Sequence, residues 1–93
     1  MVVATTNSID LSARWQLNDH VSLRDEAFGA LAYHHDTRRL VFLKSVALVE
    51  VVRRLGEFAT ANDALCALVA TSEHGRYAAA LATLNRSEII REC

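Results

Sequence analysis

Four consecutive apolar residues, Leu40, Val41, Phe42 and Leu43, stand between Arg38 and Arg39 on one side and Lys44 on the other. A strand points successive side chains to opposite faces, so an unbroken apolar run leaves both of its faces with something to bury. Periodicity alone would also allow a buried helical turn. The run is short, it holds β-branched and aromatic residues, and a similar run lies across a polar gap of His35, Asp36, Thr37, Arg38 and Arg39. Those features select a hairpin. Residues 28–44 therefore read as two strands and a polar turn, with a helix starting at Ser45.

Around this hairpin the chain organises itself simply. Residues 1–10 read as a flexible tail and 11–93 as one domain, since 93 residues leave no room for two cores. Residues 10–17 carry the lone Trp15, expected to pack on the domain with Leu17 while the rest stays irregular. Val21, Ser22, Leu23 and Arg24 alternate apolar and polar, as a half-buried strand does. In the next strand, 28–34, Phe28, Ala30, Ala32 and His34 are expected on one face, and Gly29, Leu31, Tyr33 and His35 on the other. The third strand is 39–44, with Leu40 and Phe42 expected to face the helices because Phe42 is its largest residue.

The period then changes. Ser45 is a good N-cap residue. Leu48, Val49, Val52, Leu55 and Phe58 recur at helical spacing, with Arg53, Arg54 and Glu57 largely opposite. Thr60 followed by Asp63 approximates a capping box for a short second helix. Ser72 is expected to cap a third helix, with Tyr77, Ala80, Leu81 and Leu84 on its buried stripe, and residues 88–91 to return as a short strand. The expected architecture is α+β and winged-helix-like: a three-stranded antiparallel sheet followed by three helices, βββααα.

Composition excludes several roles. The chain is 52% hydrophobic with a net charge of −1, which does not suit a disordered segment. Ten Lys and Arg against eleven Asp and Glu give no basic excess, whereas nucleic-acid affinity rests on neutralising phosphates. The helix-turn-helix alternative, a winged-helix DNA-binding protein, would place the third helix in the major groove. That helix is Ala- and Leu-rich and lacks the Asn, Gln and Arg cluster that reads base edges. No apolar run approaches the ~18 residues of a membrane span. The N-terminus lacks the basic and long apolar parts of a secretory signal, so a cytoplasmic protein with reduced Cys66 and Cys93 is expected. His34 and His35 are adjacent, so on a strand they diverge; with His20 and His74 they read as solvated side chains rather than metal ligands. No nucleophile–base constellation, phosphate loop or clustered cysteine motif is present, so neither enzyme activity nor a cofactor is expected.

What remains is binding. If 39–44 is a sheet edge, its free N–H and C=O groups can pair with an extended peptide. The third helix would wall the groove, with alternate peptide side chains dropping between Val41 or Leu43 and Tyr77, Leu81 or Leu84. Three or four backbone hydrogen bonds contribute about 0.5–1.5 kcal/mol each and two buried aliphatic anchors about 1.5–3 each. Ordering a flexible peptide costs about 2–5 kcal/mol, before the loss of rigid-body freedom, which places affinity near the micromolar range. Arg38, Arg39 and Lys44 read either as a solvated basic edge or as cations that meet acidic residues of the peptide. A proline at Val41 is expected to abolish the pairing and spare the helices. The other apolar face of the strand calls for a cover: Trp15 and Leu17, a second copy of the chain, or a partner.

The blocks SARWQL (12–17), VSLRDEAFGALAY (21–33) and TRRLVFLKS (37–45) resemble the mycofactocin biosynthesis chaperone family. That family is a PqqD-like recognition element of ribosomally made, post-translationally modified peptides. The resemblance covers about residues 11–91. Family members often carry proline where this chain has Ala27 and Val46, and the chain has no proline at all, which bears on turn stiffness and helix initiation. The resemblance implies a non-catalytic protein. It would bind the leader of the mycofactocin precursor peptide by strand addition and present the precursor to a radical S-adenosylmethionine maturase. It also implies a groove made of Arg38, Arg39, Leu40, Val41, Phe42, Leu43 and Lys44 with Tyr77, Ala80, Leu81 and Leu84. The iron–sulfur cluster and the S-adenosylmethionine would belong to the maturase.

Overall fold

The computed structural model describes residues 9–93. Most of the expected tail, residues 1–8, lies outside them; Ile9 is partly buried against the core. The strands are β1 (Trp15–Leu17), β2 (Val21–Glu26), β3 (Gly29–His34) and β4 (Leu40–Leu43). The helices α1 (Val46–Arg54), α2 (Ala61–Leu68) and α3 (His74–Arg86) follow, and β5 (Ile90–Glu92) ends the chain. An α+β fold with an antiparallel β2-β3-β4 sheet followed by three helices is what the sequence led us to expect.

The stretch around Trp15 is more regular than expected. β1 pairs antiparallel with β5, Trp15 opposite Glu92 and Leu17 opposite Ile90, so the two ends of the domain close on each other. The Trp15 indole N–H donates to the Asp10 carbonyl at 2.8 Å, and the ring is buried. β1 packs on α1 and on the 3-10 turn Leu55–Glu57. Trp15 is thus spent on the core and not on the far face of β4.

The helix boundaries follow from local chemistry. Ser45 is extended, and its hydroxyl accepts the Leu48 N–H at 3.1 Å, which satisfies one of the first-turn donors of α1. Thr60 does the same for α2 through the Asp63 N–H at 3.0 Å. Ser72 does not cap α3. A 3-10 turn, Thr71–Glu73, leads into it, and Glu73 stands at the cap position with its side chain bonded to no first-turn amide. The core between sheet and helices holds Ala30, Ala32, Leu43, Val51, Val52, Leu55, Leu65, Leu81, Ile89 and Ile90, all fully buried.

One histidine is not solvated. His34 is 2% exposed. Its Nδ1 accepts the backbone N–H groups of Asp36 and Thr37 at 3.2 and 3.3 Å, which fixes the turn into β4. Arg38 closes that turn with φ 62°. His20 and His35 are exposed, as expected, and pair with Asp36 and Ser22.

Candidate functional site

β4 is an outer strand of the sheet, paired only with β3 among the described residues. The register places Val41 opposite Ala32 and Leu43 opposite Ala30, and the His34 N–H donates to the Arg39 carbonyl at 2.9 Å. In an antiparallel ladder hydrogen-bonded and non-hydrogen-bonded pairs alternate. Arg39, Val41 and Leu43 therefore turn their backbone groups toward β3. Leu40 and Phe42 turn theirs to the open edge. A proline at Val41 would thus break the β3–β4 ladder instead of testing the edge, contrary to the expectation above.

The opposite edge, β2, is guarded differently. Ser22, Arg24 and Asp25 are exposed along it, Arg24 pairs with Glu26 at 3.0 Å, and Asp25 reaches Arg53 of α1 at 2.6 Å. Charges along an edge discourage strand addition. β4 carries none between Leu40 and Leu43.

The orientation of β4 reverses one expectation. Leu43 is 1% exposed and Val41 packs against the core, whereas Leu40 and Phe42 are 51% and 54% exposed. The reason lies in the partner strand. Ala30 and Ala32 make the inner face of β3 shallow, and the residues registered against them, Leu43 and Val41, fill the space beneath the helices. Phe28 also leaves the face assigned to it. Gly29 has φ 149°, a conformation that side chains rarely adopt. The preceding Phe28 stands exposed beside Phe42, ring centroids 6.0 Å apart. Phe28, Phe42 and Lys44 line a shallow, mainly apolar pocket of about 420 Å³.

A smaller pocket of about 100 Å³ lies at the C-terminal end of β4, lined by Ser45, Leu48, Arg76, Tyr77 and Ala80. The hydroxyls of Ser45 and Tyr77 lie 3.3 Å apart and tie the start of α1 to α3. Of the expected groove wall, Tyr77 and Ala80 line this pocket, while Leu81 and Leu84 are buried in the core. Ser45 and Leu48 had been read as a helix cap and a core position. Their part in the pocket follows from how closely α3 approaches the end of β4, which no local pattern encodes.

The charges around β4 differ from those elsewhere. Arg24, Arg53, Arg54, Arg76 and Arg91 each have a carboxylate partner, and Arg14 donates to the Gly56 carbonyl. The side chains of Arg38, Arg39 and Lys44, at the two ends of β4, have no ion-pair or hydrogen-bond partner among the described residues. Arg54 is held above its ordinary pKa by Glu57 and Glu50. Among the described residues no group of three or more His, Cys, Asp or Glu is placed to hold a metal, and Cys66 and Cys93 are free and exposed. No helix among them is long and apolar enough to cross a membrane.

Residues 14–91 match the model of the peptide chaperone MftB family. The peptide chaperone MftB of Mycolicibacterium smegmatis is 42% identical over 89 residues, covering 95% of this chain and 87% of the relative. That of Mycobacterium ulcerans is 39% identical over 88 residues, covering 94% and 81%. That of Mycobacterium tuberculosis is 40% identical over 55 residues, covering 59% and 50%. No solved structure matches. The extent of these matches across both β2-β3-β4 and the helices makes this chain a member of the peptide chaperone MftB family.

Proposed function

We propose that this chain binds the leader of the mycofactocin precursor peptide as a strand added to β4 and presents the precursor to a radical S-adenosylmethionine maturase. It does so in the cytoplasm, with no catalytic group or cofactor of its own. The observation that carries the reading is the open edge of β4: the outward backbone groups of Leu40 and Phe42, beside the pocket of Ser45, Leu48, Tyr77 and Ala80. A leader residue opposite Val41 or Leu43 points toward the helices, and a pocket of about 100 Å³ suits one aliphatic side chain. Membership in a family named for peptide chaperones supports the reading.

The test is amide hydrogen exchange on the full chain, with and without a synthetic leader peptide. Strand addition slows exchange at Leu40 and Phe42. Val41 and Leu43, already bonded to β3, change little. Leader binding that leaves the Leu40 and Phe42 amides exchanging freely would refute the edge mechanism. Pull-down of the maturase by the chain, strengthened by leader, tests presentation.

A further inference from the structure

The outer face of β4 is an apolar surface with no cover among the described residues. Phe28, Leu40 and Phe42 are 44%, 51% and 54% exposed. At its ends stand Arg38, Arg39 and Lys44, cations without a partner among the described residues. These two observations select what can lie there. A second copy pairing β4 against β4 must match Leu40 with the partner's Phe42, because these residues turn their backbone outward, and that antiparallel register brings Arg38 toward the partner's Lys44 at both ends. Like charges directly opposite are destabilising. An acidic strand meets the same cations favourably.

The ladder geometry adds a face. Side chains of an added strand alternate, and those in register with Leu40 and Phe42 emerge on the outer face beside them. We infer that the segment docked on β4 has large apolar side chains at alternate positions, which cover Phe28, Leu40 and Phe42, and acidic residues at both ends, which meet Arg38, Arg39 and Lys44. The inference rests on the strand-addition reading and names the ligand class that this edge selects. Phe28, Leu40 and Phe42 become the specificity-determining side chains, while the backbone edge alone would accept almost any extended segment.

Three capped synthetic peptides of about ten residues provide the probe. The first has acidic ends and leucine or phenylalanine at alternate central positions. The second has the same composition with the apolar residues made consecutive. The third replaces the acidic ends by lysine. Calorimetry on the full chain is expected to rank the first at least about tenfold tighter than either other, about 1.4 kcal/mol. Raising the salt concentration should weaken the two peptides with acidic ends and not the one with lysine ends. Phe42→Thr with Leu40→Thr puts strand-favouring β-branched residues in their place and should weaken the first peptide about tenfold. Arg38→Glu with Arg39→Glu should remove most of the salt dependence.

Equal affinity for the three peptides overturns the inference. So does unchanged affinity of the Thr variant with the Leu40 and Phe42 amides still protected, which leaves strand addition standing. Binding of the first peptide without that amide protection would instead refute strand addition. A dimer in sedimentation analysis that dissociates on Phe42→Thr would show the face covered by a second copy and also overturn the inference. The peptide series uses the unaltered chain, so it decides the question even where a variant folds poorly.

Discussion

Gly29 is where the β3–β4 hairpin is most vulnerable, and Gly29→Ala tests the packing described above. A Cβ on this residue would overlap the Leu43 carbonyl oxygen and come within 2.9 Å of the Ser45 nitrogen, both of them backbone atoms. Backbone cannot swing aside as a flexible side chain can. The φ of 149° adds conformational strain for any residue with a side chain, of order 1–3 kcal/mol. If β4 withdraws to relieve the overlap, the Ala30–Leu43 hydrogen-bonded pair is lost, at about 0.5–1.5 kcal/mol per bond. The combined penalty, counting the two bonds of that pair, is roughly 2–6 kcal/mol against a total stability of about 5–15. For a domain of this size each kcal/mol moves Tm by about 4–8 °C, so the melting temperature should fall by at least about 8 °C.

Urea denaturation followed by Trp15 fluorescence measures the loss. Amide exchange locates it: Ala30, Ala32 and Leu43 should exchange faster, and the β1–β5 pair least of all. Gly75→Ala is the control. It lies in the first turn of α3 with nothing within 4 Å of an added Cβ, so the substitution should stabilise by about 0.5–1 kcal/mol. Gly29→Ala with the urea midpoint of the parent would refute the close approach of β3 to Leu43, and with it the exposure of Phe28.

Other substitutions separate inward from outward residues. Leu43→Ala should cost about 2–5 kcal/mol, whereas Phe42→Ser, at a side chain 54% exposed, should cost under about 1 kcal/mol; equal losses in urea would contradict the orientation of β4. Ser45→Ala should cost about 1 kcal/mol through the lost cap. Because Ser45 shares a hydrogen bond with Tyr77, the double variant with Tyr77→Phe should lose less than the two single losses together; strict additivity would argue against that bond. Asp10 is held below its ordinary pKa by the hydroxyl and backbone N–H of Ser12. A lowered folded-state pKa contributes stability that is present above the ordinary aspartate range and lost as pH falls through the folded value. Asp10→Asn should therefore remove a small acid-dependent part of the stability, read by Trp15 fluorescence; an unchanged acid limb would count against the Ser12 contact.

Much of this fold was legible because local chemistry dictates it. The turn residues 35–38 and the caps Ser45 and Thr60 act on backbone groups a few residues away. The period-two pattern of β2 and β3 reports burial directly. β1 was not legible: WQL is too short to show a period, and its partner β5 lies at the far end of the chain. The side-chain placement of β4 was harder for a different reason. A run such as LVFL has no polar residue to mark the wet face, so residue size had to decide, and size misled. Phe42 is the largest side chain, but Ala30 and Ala32 leave room beneath the helices for Val41 and Leu43, and register follows the fit.

That outcome narrows what β4 can be. An edge strand with a half-exposed phenylalanine and no charge along it is a template for unwanted pairing. Natural sheets blunt such edges with charged residues, as β2 does with Arg24 and Asp25. β4 keeps its charges at the ends instead, all of one sign and without a partner among the described residues. End charges of one sign oppose self-association in the register that matches Leu40 with Phe42, because it brings Arg38 toward Lys44. They do not hinder a strand of opposite charge. An edge blunted against its own kind yet open to an acidic, alternately apolar segment is what selective strand addition requires, whereas a purely structural edge would gain nothing from leaving Phe42 in water.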